Sequence, residues 1–318
     1  MTGHEAAFSD ERYRRATGTA LAAVGDEKPR KMEPLDRGNR KRTAVARYPE
    51  RGPVVVQVCG ERTWLRTEAA LLTAIRERTS VPVPPVLAAG ETDGVAYMVT
   101  AYVAGTDLHE QFTGLEPAQR RALARTFGEH LGALHEQFRF DGYGSLVVDD
   151  GELTAWRESW PAWLAEYGRS AVERLPAAFD PVREGVRALL AEPAVDTAPP
   201  ARLFPWDFRP GNALVADGHL TAILDWEAPL AAAPGLAAAK AEYLVADWYV
   251  ADPTPLREAF GEGYERVRPY PTVQPVHRAA TIADSAVDSA GTVTNPGYPE
   301  MDREAAVAFH RRALADLL

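Results

Sequence analysis

The segment 203–229, LFPWDFRPGNALVADGHLTAILDWEAP, contains three polar side chains whose types and spacing could support chemistry. Asp207 and Asn212 precede a hairpin predicted over 213–224, and Asp225 follows it. Because a hairpin brings its two ends together, we expect these three side chains to converge at one edge. Carboxylate and amide oxygens are the hard ligands that Mg²⁺ takes when it bridges phosphates. The alternative is that Asp207 and Asn212 only shape a turn.

The elements that must position these side chains fall into two groups along the chain. The first group begins with an amphipathic helix over about residues 9–24, followed by short apolar runs and one helix pattern. The strands are predicted at 43–48, 54–59, 85–89 and 95–102, and the helix at 62–78. After Gly105 apolar residues recur at helical spacing, which predicts helices at 117–138, 157–170, 179–192, 237–250, 255–266, 275–290 and 302–317. In this second group only 213–224 has a strand pattern.

These patterns predict an α+β fold with two lobes. The first lobe is a small antiparallel sheet with one helix packed on it, and the second lobe is larger and helical. We assign residues 1–102 to the first lobe and residues 103–318 to the second, with 101–105 as the connecting segment. Clefts between two lobes are common ligand sites, so the same layout predicts where a small molecule binds.

The composition excludes several classes of protein. The net charge is −10, and no basic stripe is present, which disfavours nucleic-acid binding. No run of about 18 apolar residues is present, and the amino terminus lacks the apolar segment of a signal peptide. Cys59 is the only cysteine, so an intrachain disulfide is excluded. The sequence therefore predicts a cytoplasmic protein without a membrane or nucleic-acid partner, and it favours no particular oligomeric state.

A series of motifs covers about residues 30–250 in the order of one known family. The matching segments are RTEAALLTAI (66–75), VPVPPVLAAG (81–90), YMVTAYVAGTDL (97–108), LGALHEQF (131–138), WDFRPGNALV (206–215) and AILDWE (222–227). The spacing from Asp207 to Asn212 is also that of the protein-kinase catalytic loop, after which a later aspartate holds the metal. The chain therefore resembles the aminoglycoside phosphotransferase and choline kinase group, which are small-molecule kinases with the protein-kinase-like fold.

The resemblance implies an activity and gives roles to the three oxygen-bearing residues. It implies a Mg²⁺-dependent kinase that transfers the γ-phosphoryl group of ATP or GTP to a hydroxyl of a small molecule, with the first lobe as the nucleotide-binding lobe. Asp207 would be the catalytic base, which positions the substrate hydroxyl and accepts its proton. Asn212 and Asp225 would hold Mg²⁺ against the β- and γ-phosphates.

Further residues receive roles from the same resemblance. Arg209 lies where a cationic side chain could stabilise the charge of the transferring phosphoryl group, and a surface arginine is the alternative. The segment from Thr100 to Tyr102 corresponds to the connection whose backbone hydrogen-bonds the nucleotide base. Pro205 and Trp206 stand where the family has His-Gly, so Trp206 would have to support the loop by packing.

The predicted phosphate-binding loop, residues 36–41, also departs from the family. It contains one glycine and no G-x-G-x-x-G motif. A phosphate contact in this loop therefore falls to Gly38 and Asn39, with Arg40 or Lys41 as further candidates. A solvated turn without any phosphate contact is the alternative.

The third departure concerns the charge on the strand 54–59. The family has a lysine or arginine there, paired with a glutamate of the next helix. Glu68 is present, but the strand position is Gln57, and no lysine lies between residues 42 and 239. Gln57 can donate an amide hydrogen bond but carries no charge, which would weaken nucleotide binding by about ten- to a hundredfold. The alternative is a strand register shifted by two residues.

Two functions are compatible with these features. The first is the small-molecule kinase. The second is a kinase-fold protein with weak or no catalysis that binds a nucleotide or metabolite, and it is favoured by Gln57, the glycine-poor loop and Pro205-Trp206. The substrate is open, although acidic residues of the helical lobe would either attract a cationic substrate or lie on solvated faces. These are Glu242, Asp247, Asp284 and Asp288.

Overall fold

The structure is a computed structural model of the chain and describes residues 10–35, 41–191 and 198–318. The chain forms two compact units. Unit 1 consists of Met1–Gly105, Leu146–Thr154 and Thr221–Ala228, and unit 2 consists of Thr106–Ser145, Ala155–Leu220 and Pro229–Leu318. The lobe boundary placed between residues 102 and 103 stays a prediction, because each unit also takes segments from farther along the chain.

Unit 1 is built around a five-stranded antiparallel sheet with the order β1-β2-β3-β5-β4. Its strands are β1 (Lys31–Leu35), β2 (Arg42–Arg47), β3 (Val54–Cys59), β4 (Val86–Thr92) and β5 (Val95–Ala101). Four of them lie where strands are predicted. The sequence analysis missed β1, since its five residues include Pro34, and proline is tolerated in a strand at a sheet edge.

The two faces of this sheet follow from the alternation of side chains along β3. Val54, Val56 and Val58 are buried against α1 (Glu11–Ala22), whose first turn is capped by Asp10. Gln57 points to the opposite face and pairs across the sheet with Thr43 of β2. The apolar cluster on the α1 side therefore places Gln57 on the face away from α1, and since a shift by two residues would keep that face, the predicted alternative of such a shift stays open.

The helix α2 (Arg62–Arg78) has the bounds that the sequence predicts. It packs against β4 and β5, and a short hairpin of β9 (Val147–Asp149) and β10 (Glu152–Thr154) also packs on it. Residues Leu146–Thr154 belong to unit 1 because this hairpin packs on α2. The segment 221–228 joins through two hydrogen bonds: the Ile223 amide donates to the Pro82 carbonyl oxygen (2.8 Å), and the Thr221 hydroxyl donates to the Ala104 carbonyl oxygen (3.0 Å).

Unit 2 is mainly helical, as predicted. Its helices are α3 (Leu108–Phe112), α4 (Pro117–Gln137), α5 (Trp160–Arg174), α6 (Asp180–Leu190), α7 (Pro234–Glu242), α8 (Thr254–Glu265), α9 (Pro275–Ser285) and α10 (Arg303–Ala315). The helix predicted over 237–250 is divided, because α7 ends at Glu242 and continues as one π-helical segment, Tyr243–Asp247. Within the described ranges no helix has both the length and the apolar character that crossing a bilayer requires.

The expectation that only 213–224 forms strands in the second half is wrong. Four short strands form a further sheet with the order β7-β11-β14-β8, and β12 pairs with β6. These strands are β6 (Thr106–Asp107), β7 (Arg139–Phe140), β8 (Gly144–Ser145), β11 (Ala201–Phe204), β12 (Ala213–Ala216) and β14 (Leu230–Ala232), while β13 (His219–Ile223) runs from unit 2 into unit 1. Strands of two to four residues are too short to show an alternating pattern.

The helices α4 and α8 approach each other through glycines. A Cβ atom added at Gly128 of α4 would overlap the Phe260 carbonyl oxygen, and one added at Gly263 of α8 would overlap the Arg125 carbonyl oxygen. Gly261, also on α8, has open space around it. The close approach of the two backbones therefore depends on Gly128 and Gly263, and Gly261 provides a matched comparison on the same helix.

Replacing Gly263 by alanine is expected to lower the free energy of unfolding by about 1–3 kcal/mol or more, because a backbone oxygen must move. The same change at Gly261 is expected to raise it by about 0.5–1 kcal/mol, since alanine is the better helix former. Urea unfolding of the two variants beside the unchanged protein measures both effects. Equal changes at the two positions would contradict the close packing of α4 on α8.

Candidate active site

Unit 2 holds Asp207 and Asn212 in one short loop. The loop follows β11, passes through a single 3-10 turn over Pro210–Asn212 and leads into β12. The Asn212 side-chain amide donates to the Asp207 main-chain oxygen (2.9 Å) and to the Asp207 carboxylate oxygen Oδ2 (2.8 Å). Because the amide nitrogen faces Asp207, the Asn212 carbonyl oxygen is left for another ligand.

Arg209 binds the same carboxylate from the other side. Its Nε lies 2.7 Å from Asp207 Oδ1, and its guanidinium group lies 5.2 Å from the centre of the Trp248 ring. Arg209 and Asp207 are each 24% exposed, so both side chains are half-buried, and the role of Arg209 stays a prediction. Asp207 Oδ2 thus accepts a hydrogen bond from Asn212, while Oδ1 forms an ion pair with Arg209, and the carboxylate keeps lone pairs for a substrate hydroxyl.

Trp206 is hydrogen-bonded to the buried carboxylate of Asp284. The Trp206 indole N–H donates to Asp284 Oδ2 (2.8 Å), and the Tyr167 hydroxyl donates to the same oxygen (2.8 Å). Lys240 and Arg174 also donate to Asp284. The Lys240 ammonium lies 4.2 Å from the centre of the Trp206 ring. Trp206 therefore supports the loop through a hydrogen bond and a cation–π contact as well as by packing.

The Lys240–Asp284 pair is almost completely buried. Burial alone would raise the pKa of Asp284, but the charges of Lys240 and Arg174 outweigh burial and hold that pKa below its usual value. Burial lowers the pKa of Lys240, and Asp284 offsets part of this shift. The pair therefore places the Lys240 ammonium group against the ring of Trp206, the residue that precedes Asp207.

The other acidic residues of unit 2 are also engaged. Glu242 accepts hydrogen bonds from Arg278 (2.7 Å) and Tyr270 (2.8 Å), and Asp247 binds Arg257. Glu242, Asp247 and Asp284 are buried, while Asp288 accepts two main-chain hydrogen bonds in a turn. For Glu242, Asp247 and Asp284 both predicted alternatives, a solvated face and an anionic surface that attracts a cationic substrate, are wrong. Their charges are paired inside the unit.

In unit 1 Glu68 receives a lysine, contrary to the sequence analysis. Lys41 Nζ lies 3.0 Å and 2.9 Å from the two carboxylate oxygens of Glu68. The expectation that only Gln57 can face this glutamate is therefore wrong. The lysine comes from the residue directly before β2, which a search along β3 does not reach.

Lys41 also contacts two carboxylates of the segment 221–228. Its Nζ lies 3.1 Å from Asp225 Oδ1 and 3.4 Å from Glu227 Oε2. Burial alone would lower the pKa of Lys41, but Glu68, Asp225 and Glu227 outweigh burial and raise it. The cluster of these four residues thus holds one ammonium group among three carboxylates.

Asp225 has an unusual backbone conformation. Its φ of 59° lies in the left-handed region, which aspartate and asparagine tolerate better than other side chains that have a Cβ atom. The Asp225 side chain is 42% exposed, although Lys41 contacts it. Asp225 thus combines a left-handed backbone with an accessible carboxylate.

The segment predicted to bind the nucleotide base is partly engaged within unit 1. The Tyr102 amide donates to the Pro53 carbonyl oxygen (3.2 Å), and the Ala101 amide donates to the Pro85 carbonyl oxygen (2.9 Å). Thr100 is buried in β5. The base contact assigned to Thr100 and Tyr102 stays a prediction, and it cannot use these two donors unless they exchange partners.

Two predicted contacts lie outside the described residues. Gly38 and Asn39 belong to the segment 36–40, of which the structure describes nothing. Their predicted contact with phosphate stays a prediction.

The two predicted metal ligands, one in each unit, each carry an oxygen of the kind that Mg²⁺ binds. Asp225 offers an exposed carboxylate oxygen, and Asn212 offers an amide oxygen whose nitrogen is occupied by Asp207. Mg²⁺ is commonly bound by one or two carboxylates together with substrate phosphates and water. Accordingly, a protein-only cluster of three or more acidic, histidine or cysteine ligands is not required, and none is found in 10–35, 41–191 or 198–318.

The sequence analysis missed Lys41 as the partner of Glu68, and it missed the pair of Lys240 and Asp284. A signal for both lysines was present. The chain has only four lysines, and these are the last two. Scarce lysines in an arginine-rich chain are good candidates for positions where a compact ammonium group is needed.

Comparisons with known proteins find several solved structures of similar fold. A thermostable variant of the aminoglycoside phosphotransferase APH(4)-Ia, in a ternary complex with ADP and hygromycin B, is 14% identical; the match covers 95% of this chain and 97% of that one, with a TM-score of 0.60. A protein of Ralstonia eutropha JMP134 classed as an aminoglycoside phosphotransferase is 16% identical, over 95% and 98% of the chains, with a TM-score of 0.64. One of Haemophilus somnus 129PT classed as a fructosamine-3-kinase is 13% identical, over 97% and 100%, with a TM-score of 0.61.

These likenesses show a shared fold and confirm the predicted α+β, kinase-like class. No curated protein gives a significant match. The model of the phosphotransferase enzyme family, APH, matches residues 31–276, which is more than half of the chain. The chain belongs to the phosphotransferase enzyme family.

Proposed function

We propose that the protein is a Mg²⁺-dependent kinase that transfers the γ-phosphoryl group of ATP or GTP to a hydroxyl group of a small molecule. Membership of the phosphotransferase family supports the transfer of a phosphoryl group. One similar structure holds ADP and hygromycin B, and that supports a nucleotide and a small hydroxylated acceptor as the two substrates. A cytoplasmic location and the absence of nucleic-acid partners stay predictions.

In this proposal Asp207 is the base. Its carboxylate accepts the proton of the substrate hydroxyl while the hydroxyl oxygen attacks the γ-phosphorus and the bond to the β-phosphate oxygen breaks. Asn212 and Arg209 each hold one carboxylate oxygen, so the group is oriented before the substrate arrives. Fixing a base in advance lowers the entropic cost of reaching the reactive geometry.

Asn212 and Asp225 would hold the metal in this proposal. When bound, Mg²⁺ would neutralise charge on the β- and γ-phosphates. The Asn212 nitrogen is committed to Asp207, so its oxygen has a fixed direction. Asp225 needs its left-handed backbone to present its carboxylate, which explains why an aspartate with a short polar side chain occupies this position.

The observation that carries the proposal is the second hydrogen bond from Asn212 to Asp207. A turn alone needs only the contact with the main-chain oxygen. The contact with the carboxylate orients a negatively charged group, and it does so from the residue that would also offer its oxygen to the metal. The predicted alternative of simple turn residues does not account for this second contact.

The alternative function, a kinase-fold protein that binds without transferring phosphate, rested mainly on Gln57. The ammonium group of Lys41 at Glu68 weakens that argument, because the charge absent from the strand is supplied by a neighbouring residue. The experiment below also tests the alternative, since a binding protein would show nucleotide binding without product.

Thermal unfolding with ATP or GTP, each with and without Mg²⁺, is expected to show stabilisation that requires the metal. Specific binding at a hundred times Kd stabilises a protein by about 2.7 kcal/mol. Replacing Asp225 by asparagine is expected to abolish the Mg²⁺-dependent part, because one carboxylate is removed while asparagine still tolerates the left-handed backbone. Alanine there would add backbone strain to the lost charge.

Asp217 provides the matched control. It also has a positive φ, 52°, and it lies exposed in the turn between β12 and β13. The change of Asp217 to asparagine is therefore expected to leave the shift intact. If neither nucleotide stabilises the unchanged protein, the proposed function is wrong.

A further inference from the structure

Lys41 is placed on the sheet face that Gln57 also occupies. Thr43 pairs directly with Gln57, and Lys41 is two residues before Thr43. Side chains two positions apart in a strand point to the same face, and diagonal neighbours on adjacent strands lie about 7–8 Å apart. A lysine side chain can span that distance. The ammonium group of Lys41 can thus reach the space that a lysine at position 57 would fill.

The contacts of Lys41 agree with this placement. Its side chain is 11% exposed, and the Glu68 carboxylate, which is 4% exposed, binds it through both oxygens. A buried glutamate without a partner would be costly, so Lys41 and Glu68 stabilise each other. Structural need alone explains this pair.

Structural need does not explain the other two contacts. Asp225 is 42% exposed and Glu227 is 27% exposed, so water could solvate both carboxylates without help from a lysine. With one ammonium group among three carboxylates, the cluster has a net charge of −2, counting each group as ionised. A cluster with this charge attracts cations, and its lysine, although 11% exposed itself, contacts the more exposed carboxylates of Asp225 and Glu227.

We propose that Lys41 supplies the cation that contacts the phosphates of the bound nucleotide, in place of the strand position that Gln57 occupies. This inference rests on the proposed function. Lys41 Nζ contacts Asp225 Oδ1 at 3.1 Å, and if Asp225 held a metal ion, the N–H directed at this carboxylate would be available to a phosphate oxygen. Glu68, which binds Lys41 through both oxygens, would keep the ammonium group in place.

The test moves the lysine from position 41, directly before β2, to position 57 on the adjacent strand β3. Nucleotide affinity is measured as Mg²⁺-dependent ATP binding by equilibrium dialysis and by thermal shift, without any need for an acceptor substrate. Lys41→Met is expected to weaken binding by about ten- to a hundredfold, the effect of losing one charge-assisted contact. The double variant Lys41→Met/Gln57→Lys is expected to regain most of the loss, because the introduced lysine would face Glu68 on the same side of the sheet.

Two further variants separate phosphate binding from stability. Lys41→Met/Glu68→Gln leaves no unpaired buried carboxylate, so it is expected to fold and still bind ATP weakly. Lys31→Met serves as the matched control, because Lys31 on β1 is 67% exposed and its ammonium group contacts Glu33 at 2.8 Å. This control is expected to bind ATP as the unchanged protein does.

The outcomes distinguish the inference from the function on which it rests. If the unchanged protein binds Mg²⁺-ATP and Lys41→Met/Glu68→Gln binds it equally well, Lys41 does not contact phosphate and the inference is overturned while the kinase proposal stands. The inference is also overturned if the lysine at position 57 restores stability but not affinity. If the unchanged protein binds no nucleotide, the proposed function itself fails.

Discussion

Replacing Asp207 by asparagine is expected to slow phosphoryl transfer by about a hundred- to ten-thousandfold, the usual contribution of a positioned base. Asparagine has the same shape but cannot accept the hydroxyl proton. Nucleotide binding is expected to be nearly unchanged, because in the proposed site this side chain contacts the acceptor and not the nucleotide. The loss should thus appear in kcat and only weakly in the thermal shift given by Mg²⁺-ATP.

The measurement needs an acceptor, which a screen of sugars, amino alcohols, nucleosides and aminoglycosides against radiolabelled ATP can provide. Asp217→Asn is again the matched control, since it makes the same chemical change in an exposed turn of the same unit. Circular dichroism of both variants checks that the fold is kept. A variant at position 207 that turns over within a few-fold of the unchanged protein would show that Asp207 is not the base.

Asp284→Asn is expected to lower the free energy of unfolding by about 3–5 kcal/mol, because it leaves the Lys240 ammonium group buried without a carboxylate. Lys240 and Asp284 are each only 3% exposed, so water cannot replace the lost partner. Arg174 is 37% exposed and is expected to hydrate instead. Urea unfolding followed by tryptophan fluorescence measures the loss.

The effect of Asp284→Asn is expected to depend on pH. In the unchanged protein burial already lowers the pKa of Lys240, and Asp284 offsets part of that shift. Without the carboxylate the folded-state pKa falls further below the unfolded-state value, so the unfolded chain binds more protons and stability rises with pH. The destabilisation is complete below the folded-state pKa and disappears as the pH rises towards the unfolded-state pKa.

The double variant Lys240→Met/Asp284→Asn completes the test. Removing both charges is expected to recover much of the stability, because a buried ion pair can often be replaced by apolar groups with little loss. The double variant should also lose the pH dependence. A single variant that costs less than about 1 kcal/mol would contradict this prediction and would mean that the Lys240 ammonium group finds another partner.

How much of the fold the sequence predicts depends on the length of each element. The helix α2 has the predicted bounds, 62–78, because its apolar residues recur at helical spacing over several turns. The four strands of the β7-β11-β14-β8 sheet were missed, since strands of two to four residues hold too few side chains to show a period. The π-helical segment after Glu242 was merged with α7 because both have the same apolar character.

For the candidate site, residues that are recognised by their spacing along the chain are predicted, and contacts that depend on the pairing of strands are not. Asp207, Asn212 and Asp225 were found because their spacing along the chain is itself the signal. The Lys41–Glu68 pair is not apparent in the sequence, because it depends on the pairing of β2 with β3, which brings the residue directly before β2 near Glu68. The sequence of β3 alone does not show this pair. The ammonium group has to reach the Glu68 carboxylate, and a residue beside the adjacent strand β2 can also do so.

Unit 1 is assembled from separate stretches of chain, and this has a consequence for biosynthesis. The sheet and α2 lie within the first 105 residues, but the segment with Asp225 is made only when the ribosome has reached residues 221–228. A nascent chain that stops earlier has Lys41 and Glu68 without Asp225 and Glu227. We expect such chains to bind no Mg²⁺-nucleotide, so the cofactor can assist folding only late in translation, when 228 of the 318 residues have been joined.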